Sequence, residues 1–213
     1  MHARILGLAS IFPYSKNLVD IGSDHGYLGL ELIRQRKVGK VTNIDLSEDA
    51  LNRSKIIYEK LGFLDRSTFL VSDGFKELKL VPIDSTVVIA GMGTYQILKI
   101  LEFLPDTVDK LLILSHTDYF FLRNWAVLNS FSILREFYID DKDLVYLAIF
   151  LVRKNPEAYT LKDLILGKSD FYESQIELFR RYWRTRVSRI LKVPEEYRNS
   201  LDSKTLEFLS PHG

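Results

Sequence analysis

Four stretches of this 213-residue sequence carry carboxylates and glycines in positions where they could grip a small ligand. The first is VDIGSDHGYLG (19–29), in which Asp20 ends an apolar run and Gly22 and Gly26 follow. Glycines there let the backbone turn tightly and approach a ligand, and Asp20 can accept hydrogen bonds from the loop or from a charged amino group. The spacing D-x-G-x-x-x-G is not the G-x-G-x-x-G of a pyrophosphate cradle, so an amino-acid-bearing nucleoside fits better than a dinucleotide. Asp45 closes a second run, where its two oxygens can take both hydroxyls of an adenosine ribose. Ser72, Asp73 and Gly74 follow a third, with Asp73 able to accept from an adenine amine. Gly91, Met92 and Gly93 after a fourth leave room for the reacting end. Each feature alone also serves a plain turn or a helix cap. Four of them on one sheet edge indicate a bound nucleoside cofactor.

Such loops need parallel strands to carry them. Residues 17–21, 40–45, 68–72, 85–93 and 110–115 read as strands. They alternate with helical periodicity over 25–36, 47–61 and 94–103, and with a helix running to Asn129. Ser47 is a candidate N-cap. Residues 131–154 break the alternation: two strands around the polar turn 140–143 form a closing antiparallel hairpin. Residues 5–12 (ILGLASIF) are too short for a signal segment and read as a helix packed on the sheet. This pattern suggests an α/β fold, the Rossmann-like seven-stranded sheet of S-adenosylmethionine (SAM) dependent methyltransferases rather than a dehydrogenase. Gly91 to Gly93 would then face the methionine end of SAM. After a linker at 155–159, residues 161–166 and 168–175 lead into a small C-terminal helical domain. The expected division is 1–154 for the SAM-binding domain and 160–213 for the helical one.

Composition narrows the partners. With 29 basic and 28 acidic side chains the chain has no strong overall field, so a nucleic-acid surface must come from local clustering. The absence of cysteine fits a reducing, cytoplasmic address. No apolar run approaches the roughly 20 residues of a membrane span, and the histidines at 2, 25, 116 and 212 lack metal-ligand spacing, so neither membrane nor metal is expected. A monomer or weak oligomer is expected. FRRYWRTRVSRILK (179–192) supplies the clustering, with Arg180, Arg181, Arg184, Arg186, Arg189 and Lys192 and no acid. Ile176, Phe179, Trp183, Val187 and Ile190 recur there at helical spacing. One face is apolar and another basic, which suits either a solvated helix face or a surface that tracks RNA phosphates. Pro194 ends this helix, and the tail reads as a short helix that frays.

DIGSDHGYL (20–28), GMG (91–93) with its trailing ILKIL (97–101), and LRNWAVLN (122–129) resemble the bacterial tRNA adenine-N1 methyltransferase family, whose members modify adenine-22. The resemblance spans most of the chain. It implies a SAM-dependent enzyme acting on N1 of a tRNA adenine, with Asp24 as the candidate for work at the acceptor base. Ser23, His25, Gly26 and Leu46 then join Asp20, Gly22, Asp45, Asp73, Gly74 and Gly91 to Gly93 as cofactor contacts. His25 could be a base, a ligand or a packing residue. Because N1 lies on the Watson–Crick edge, the base must be unpaired or flipped against an apolar wall, for which Met92 and Tyr95 are candidates. Tyr27 either stacks on a base or fills the seam between helix and sheet.

One departure bears on the acceptor: after the fifth strand the family usually shows Gln-Pro-Asn, whereas this chain has SHTDYF. Thr117 could keep one hydrogen bond there, and His116 or Asp118 could add others. GMGT for GMGG and HGYLG for HAYLP are milder changes. Arg180, Arg181 and Arg184 are the expected contacts to tRNA. The alternative is a SAM-binding protein with a small-molecule acceptor, or a non-catalytic RNA-binding module.

Overall fold

The structure, a computed structural model, describes residues 3–78 and 80–210, so His2, His212 and the end of the tail lie outside the described residues. From the N-terminus run α1 (Ala3–Ile11), β1 (Ser15–Ile21), α2 (Tyr27–Arg34), β2 (Val38–Asp45), α3 (Glu48–Lys60) and β3 (Ser67–Val71). Then come β4 (Ser85–Met92), α4 (Thr94–Leu101), β5 (Lys110–Ser115), α5 (Tyr119–Leu128) and the hairpin β6 (Phe131–Asp141) and β7 (Leu144–Arg153). Helices α6 (Leu161–Leu166), α7 (Ser169–Tyr172), α8 (Ile176–Ile190) and α9 (Ser200–Leu209) complete it.

The seven strands form one sheet, as expected from the sequence, in the order β3-β2-β1-β4-β5-β7-β6. Strands β1 to β5 pair in parallel, and β7 runs antiparallel to both β5 and β6. Two-residue periodicity sorts the central strands: Val19, Val87, Ile89, Leu111 and Ile113 face one apolar layer, and Leu18, Val88, Leu112 and Leu114 face the other. Helix α1 buries Leu8 and Ala9 on the second layer, so the N-terminal apolar run is a packing helix. Helix α2 starts at Tyr27, two residues later than expected, because Gly26 holds a left-handed φ of 66° and His25 therefore lies in the turn. Ser47 caps α3 by accepting from the Ala50 N–H, as its position predicts.

Beyond the linker, the C-terminal helices have no core of their own. Ile165, Leu166, Phe179, Tyr182 and Trp183 join the first apolar layer, alongside Tyr138 of β6 and Leu147 of β7. Gln175 hydrogen-bonds both the N–H and the carbonyl of Tyr138, covering the open edge of β6 as another strand would.

A buried ion pair fixes that docking. Arg123 of α5 and Glu136 of β6 are 0% and 1% exposed and pair through two hydrogen bonds of 2.5 and 3.0 Å. The remaining guanidinium nitrogen donates to the carbonyls of Leu164 and Ile165 at the end of α6, so one side chain joins three elements. Gly167, at φ 90°, follows immediately, and a Cβ there would collide with Glu136. Removing one member of a buried pair strands the other charge, at a cost of about 3–5 kcal/mol. Urea unfolding of Arg123→Met should show a loss of that order, and adding Glu136→Leu should recover part of it. A loss below about 1 kcal/mol for Arg123→Met would contradict this role for the pair.

Candidate active site

Ligands of open α/β sheets sit where neighbouring strand connections diverge, which here is the crevice between β1 and β4. The loop leaving β1 has three left-handed residues in five: Gly22 at φ 74°, Asp24 at 47° and Gly26 at 66°. Gly22 is favoured by its φ, and the methyl end of the Met92 side chain occupies the space where a Cβ would stand. Asp24 is one of five described non-glycine residues at positive φ, a conformation that a short acidic side chain tolerates better than most. The loop is tied to β2: Gly22 and Ser23 donate to the Ile44 carbonyl, and the Asp24 N–H donates to Asp45 Oδ2 at 2.9 Å. The other Asp45 oxygen accepts from the Ser47 N–H, so this carboxylate first builds two loops, keeping lone pairs for ribose hydroxyls.

Asp20 differs from Asp45. It is 5% exposed, and among the described residues no group hydrogen-bonds its side chain. Burial, with a smaller contribution from the negative charge of Asp45, pushes its pKa up to about 7. Ser23 next to it has a buried hydroxyl without a partner. Both lie on one cavity with Gly22, Asp24 and His25. A buried acid and an orphaned hydroxyl in one cavity are what a cationic, hydrogen-bonding ligand would satisfy. Asp24 itself points outward, its side chain 69% exposed, with His25 Nε2 at 3.7 Å. His25 also lies against Tyr27, ring centres 5.5 Å apart.

Along the same edge, Leu46 is exposed after β2. Asp73 is half exposed and paired with Lys76, while Ser72 shapes its loop through the Gly74 carbonyl and the Glu77 N–H. At β4 the register slips between Ala90 and Met92, and a Cβ on Gly91 would meet nothing within 4 Å, so this stretch opens space. The Thr117 hydroxyl oxygen accepts from the Thr94 N–H at the start of α4 and keeps its proton to donate. Tyr95, one residue on, is 73% exposed, with Lys99 Nζ 4.6 Å from its ring centre.

His116 stands between two cavities, of about 190 and 210 Å³, that lie under α8. Both are bordered by Tyr182, Arg186 and Arg189. Arg186 lies 3.4 Å from the centre of the Tyr182 ring, which holds it in place. The arginines singled out in the sequence sit elsewhere on the helix. Arg180 pairs with Glu177, and Arg181 forms a bidentate pair with Asp140 and also donates to the Lys142 carbonyl. Arg184 borders a shallow cleft with Asp143 and Arg181. Helical spacing carried the signal that distinguishes them: Arg186 and Arg189 lie four and seven residues after Tyr182, whereas Arg180, Arg181 and Arg184 turn away from that face. Among the described residues there is no cluster of three metal-ligating side chains, and no helix is long and apolar enough to cross a membrane.

Residues 18–210 match the family described as tRNA (adenine(22)-N(1))-methyltransferase. Over 171 residues, 78% of this chain and 77% of the other, the sequence is 31% identical to a Mycoplasma genitalium protein provisionally named a tRNA methyltransferase. It is 24% identical to the tRNA (adenine(22)-N(1))-methyltransferase of Bacillus subtilis over 146 residues, 67% of this chain and 61% of that one. The structure of M. capricolum TrmK in complex with S-adenosylhomocysteine matches with a TM-score of 0.82 and 26% identity, over 96% of this chain and 91% of that one. The match takes in every loop of the crevice and all of the C-terminal helices, and the chain belongs to the tRNA (adenine(22)-N(1))-methyltransferase family.

Proposed function

We propose that this protein is a cytoplasmic enzyme that transfers the methyl group of SAM to N1 of an adenine in tRNA, adenine-22 by family. The observation that carries this reading is a buried, unpartnered Asp20 at the β1–β4 crevice, beside open space at Gly91. Asp20 suits the cofactor's amino group, Asp45 its ribose, and Leu46 and Asp73 its adenine, while Gly91 to Gly93 leave room at the methionine side. Ser23, His25, Gly26 and Gly74 complete the cofactor loops. Bound SAM would supply an electrophilic methyl on a sulfonium.

Adenine N1 already has a lone pair, so the chain must align the base and balance the charge that methylation creates. Asp24 suits both needs, because its carboxylate can accept from the N6 amine, orient the ring and compensate the positive purine. Tyr95, Met92 and Tyr27 would wall the flipped base, with His116 and Thr117 offering hydrogen bonds from the β5 loop. In this reading residues 1–154 carry the cofactor and 160–213 hold the tRNA. Arg186 and Arg189 contact phosphates nearest the acceptor loop, and Arg180, Arg181 and Arg184 contact them further out. The surface pairs of Arg180 and Arg181 are weak enough to exchange for phosphate.

Incubation with SAM and an unmodified tRNA transcript should yield 1-methyladenosine, identified by mass. Asp24→Ala should lower kcat by about 100-fold or more while leaving SAM affinity unchanged. Transfer to another atom, or none to tRNA, would contradict the reading. Changing Arg186 and Arg189 to Glu should weaken tRNA binding and flatten the slope of log affinity against log salt by about 2. The change should exceed that of Arg180→Glu, and equal effects would place the phosphate contacts elsewhere.

A further inference from the structure

We propose that the cavity between the β5 loop, α8 and α9 binds a second nucleotide of the substrate RNA, an unpaired guanine with its phosphate. That the guanine belongs to tRNA rests on the reading above, whereas the site itself stands on the groups that border it. These are two cations, two carboxylates and an aromatic wall, and the opposite charges do not pair with one another. Among the described residues neither Arg186 nor Arg189 has a carboxylate within 4.0 Å, although Asp118 and Asp202 border the same cavity of about 190 Å³.

Both carboxylates stand where an aspartate ordinarily caps a helix, and neither does so. Asp118 immediately precedes α5, yet its side chain makes no cap hydrogen bond. Asp202 is the third residue of α9, and its N–H donates to Asn199 Oδ1 at 2.8 Å. The corresponding residue of α6, Asp163, returns its carboxylate to the Thr160 N–H at 2.9 Å and closes a capping box. Asp202 does not return its own, so its lone pairs are left for a ligand. Tyr182 and Trp183 wall the cavity, and the indole N–H of Trp183, a residue 9% exposed, is buried without a partner among the described residues. A guanine nucleotide carries the complement of this arrangement. Its flat ring suits the aromatic wall, and its N1–H and 2-amino donors match the two oxygens of one carboxylate. Its ring carbonyl can accept from the indole N–H, and its phosphate fits the guanidinium fork. Adenine lacks both the carbonyl and the N1–H, and a pyrimidine offers a single donor group on that edge. Asp118 lies in the SHTDYF stretch that departs from the family pattern, so the site is a feature of this chain.

Calorimetry on the full chain tests this with four probes: GMP, IMP, guanosine and AMP. GMP should bind more tightly than IMP, which lacks the 2-amino group, than guanosine, which lacks the phosphate, and than AMP. Asp202→Asn should weaken GMP by about tenfold and bring it level with IMP. Arg189→Gln should weaken GMP and leave guanosine unchanged. An unchanged urea midpoint shows that each variant is folded. In the methyl-transfer assay GMP should compete with tRNA, raising KM and leaving kcat unaltered. An effect of GMP on kcat alone would give the site to a free nucleotide and overturn its assignment to substrate RNA. GMP binding no tighter than AMP, or untouched by both substitutions, overturns the site. If the unaltered protein methylates no tRNA, the enzyme reading fails, and the comparison of probes still decides the site.

Discussion

Arg123 and Glu136 meet where no water reaches, and the pair ties the end of α6, where the C-terminal helices begin, to α5 and β6. A lone guanidinium or carboxylate in that position would be intolerable, so α5, β6 and the end of α6 are held in one arrangement. Gly167 is the steric consequence, since nothing larger than hydrogen fits against the pair at that bend. With α6 fixed, α7 and α8 fold back on β6 and β7, and the Tyr138, Phe179, Tyr182 and Trp183 rings interlock. Arg186 and Arg189 thereby come to lie over the loop that follows β5. The amphipathic basic helix read from the sequence thus forms a wall of the cavities beside that loop.

At the crevice the balance is reversed, because there the chain tolerates an unfavourable group that the fold does not need. Asp20 is buried without a partner. Asp45 uses both oxygens on backbone N–H groups to hold the loop in shape. Its charge also helps keep Asp20 poised near neutrality. One carboxylate organises the loops and the other is left for a ligand, although both are aspartates at the ends of neighbouring strands.

The strands and their loops were legible because buried parallel strands are continuous apolar runs and the residues after them are short-range punctuation. Asp20, Gly22, Asp45 and Gly91 could therefore be located by spacing alone. The hairpin of β6 and β7 was equally plain from two apolar stretches around Asp140 to Asp143. What escaped depends on contacts between distant segments. Arg123 lies inside a recognisable stretch, yet its partner is 13 residues on and its carbonyl acceptors are 41 and 42 residues on. That Thr117 also holds the start of α4, by accepting from the Thr94 N–H, is not visible in the sequence. The choice among the arginines of α8 needed the buried face defined by Tyr182, which only packing against β6 and β7 identifies.

Asp20, in this view, is buried for a ligand and at the expense of the fold. Its folded pKa of about 7 lies above the value of 3.8 for an unconstrained aspartate, so the folded chain holds this proton more tightly than the unfolded one. Stability is then greatest below the unfolded pKa and is lost as pH rises through the folded one, by roughly 4 kcal/mol at about 1.4 kcal/mol per unit. Denaturant unfolding of wild type and Asp20→Asn between pH 4 and 8, with S-adenosylhomocysteine binding measured at pH 8, reads both sides of that exchange. The stability difference should shift toward the variant as pH rises to about 7 and then level off, while the variant loses the ligand. A pH-independent difference, or a variant that binds as tightly as wild type, would mean that Asp20 is not held back for a ligand.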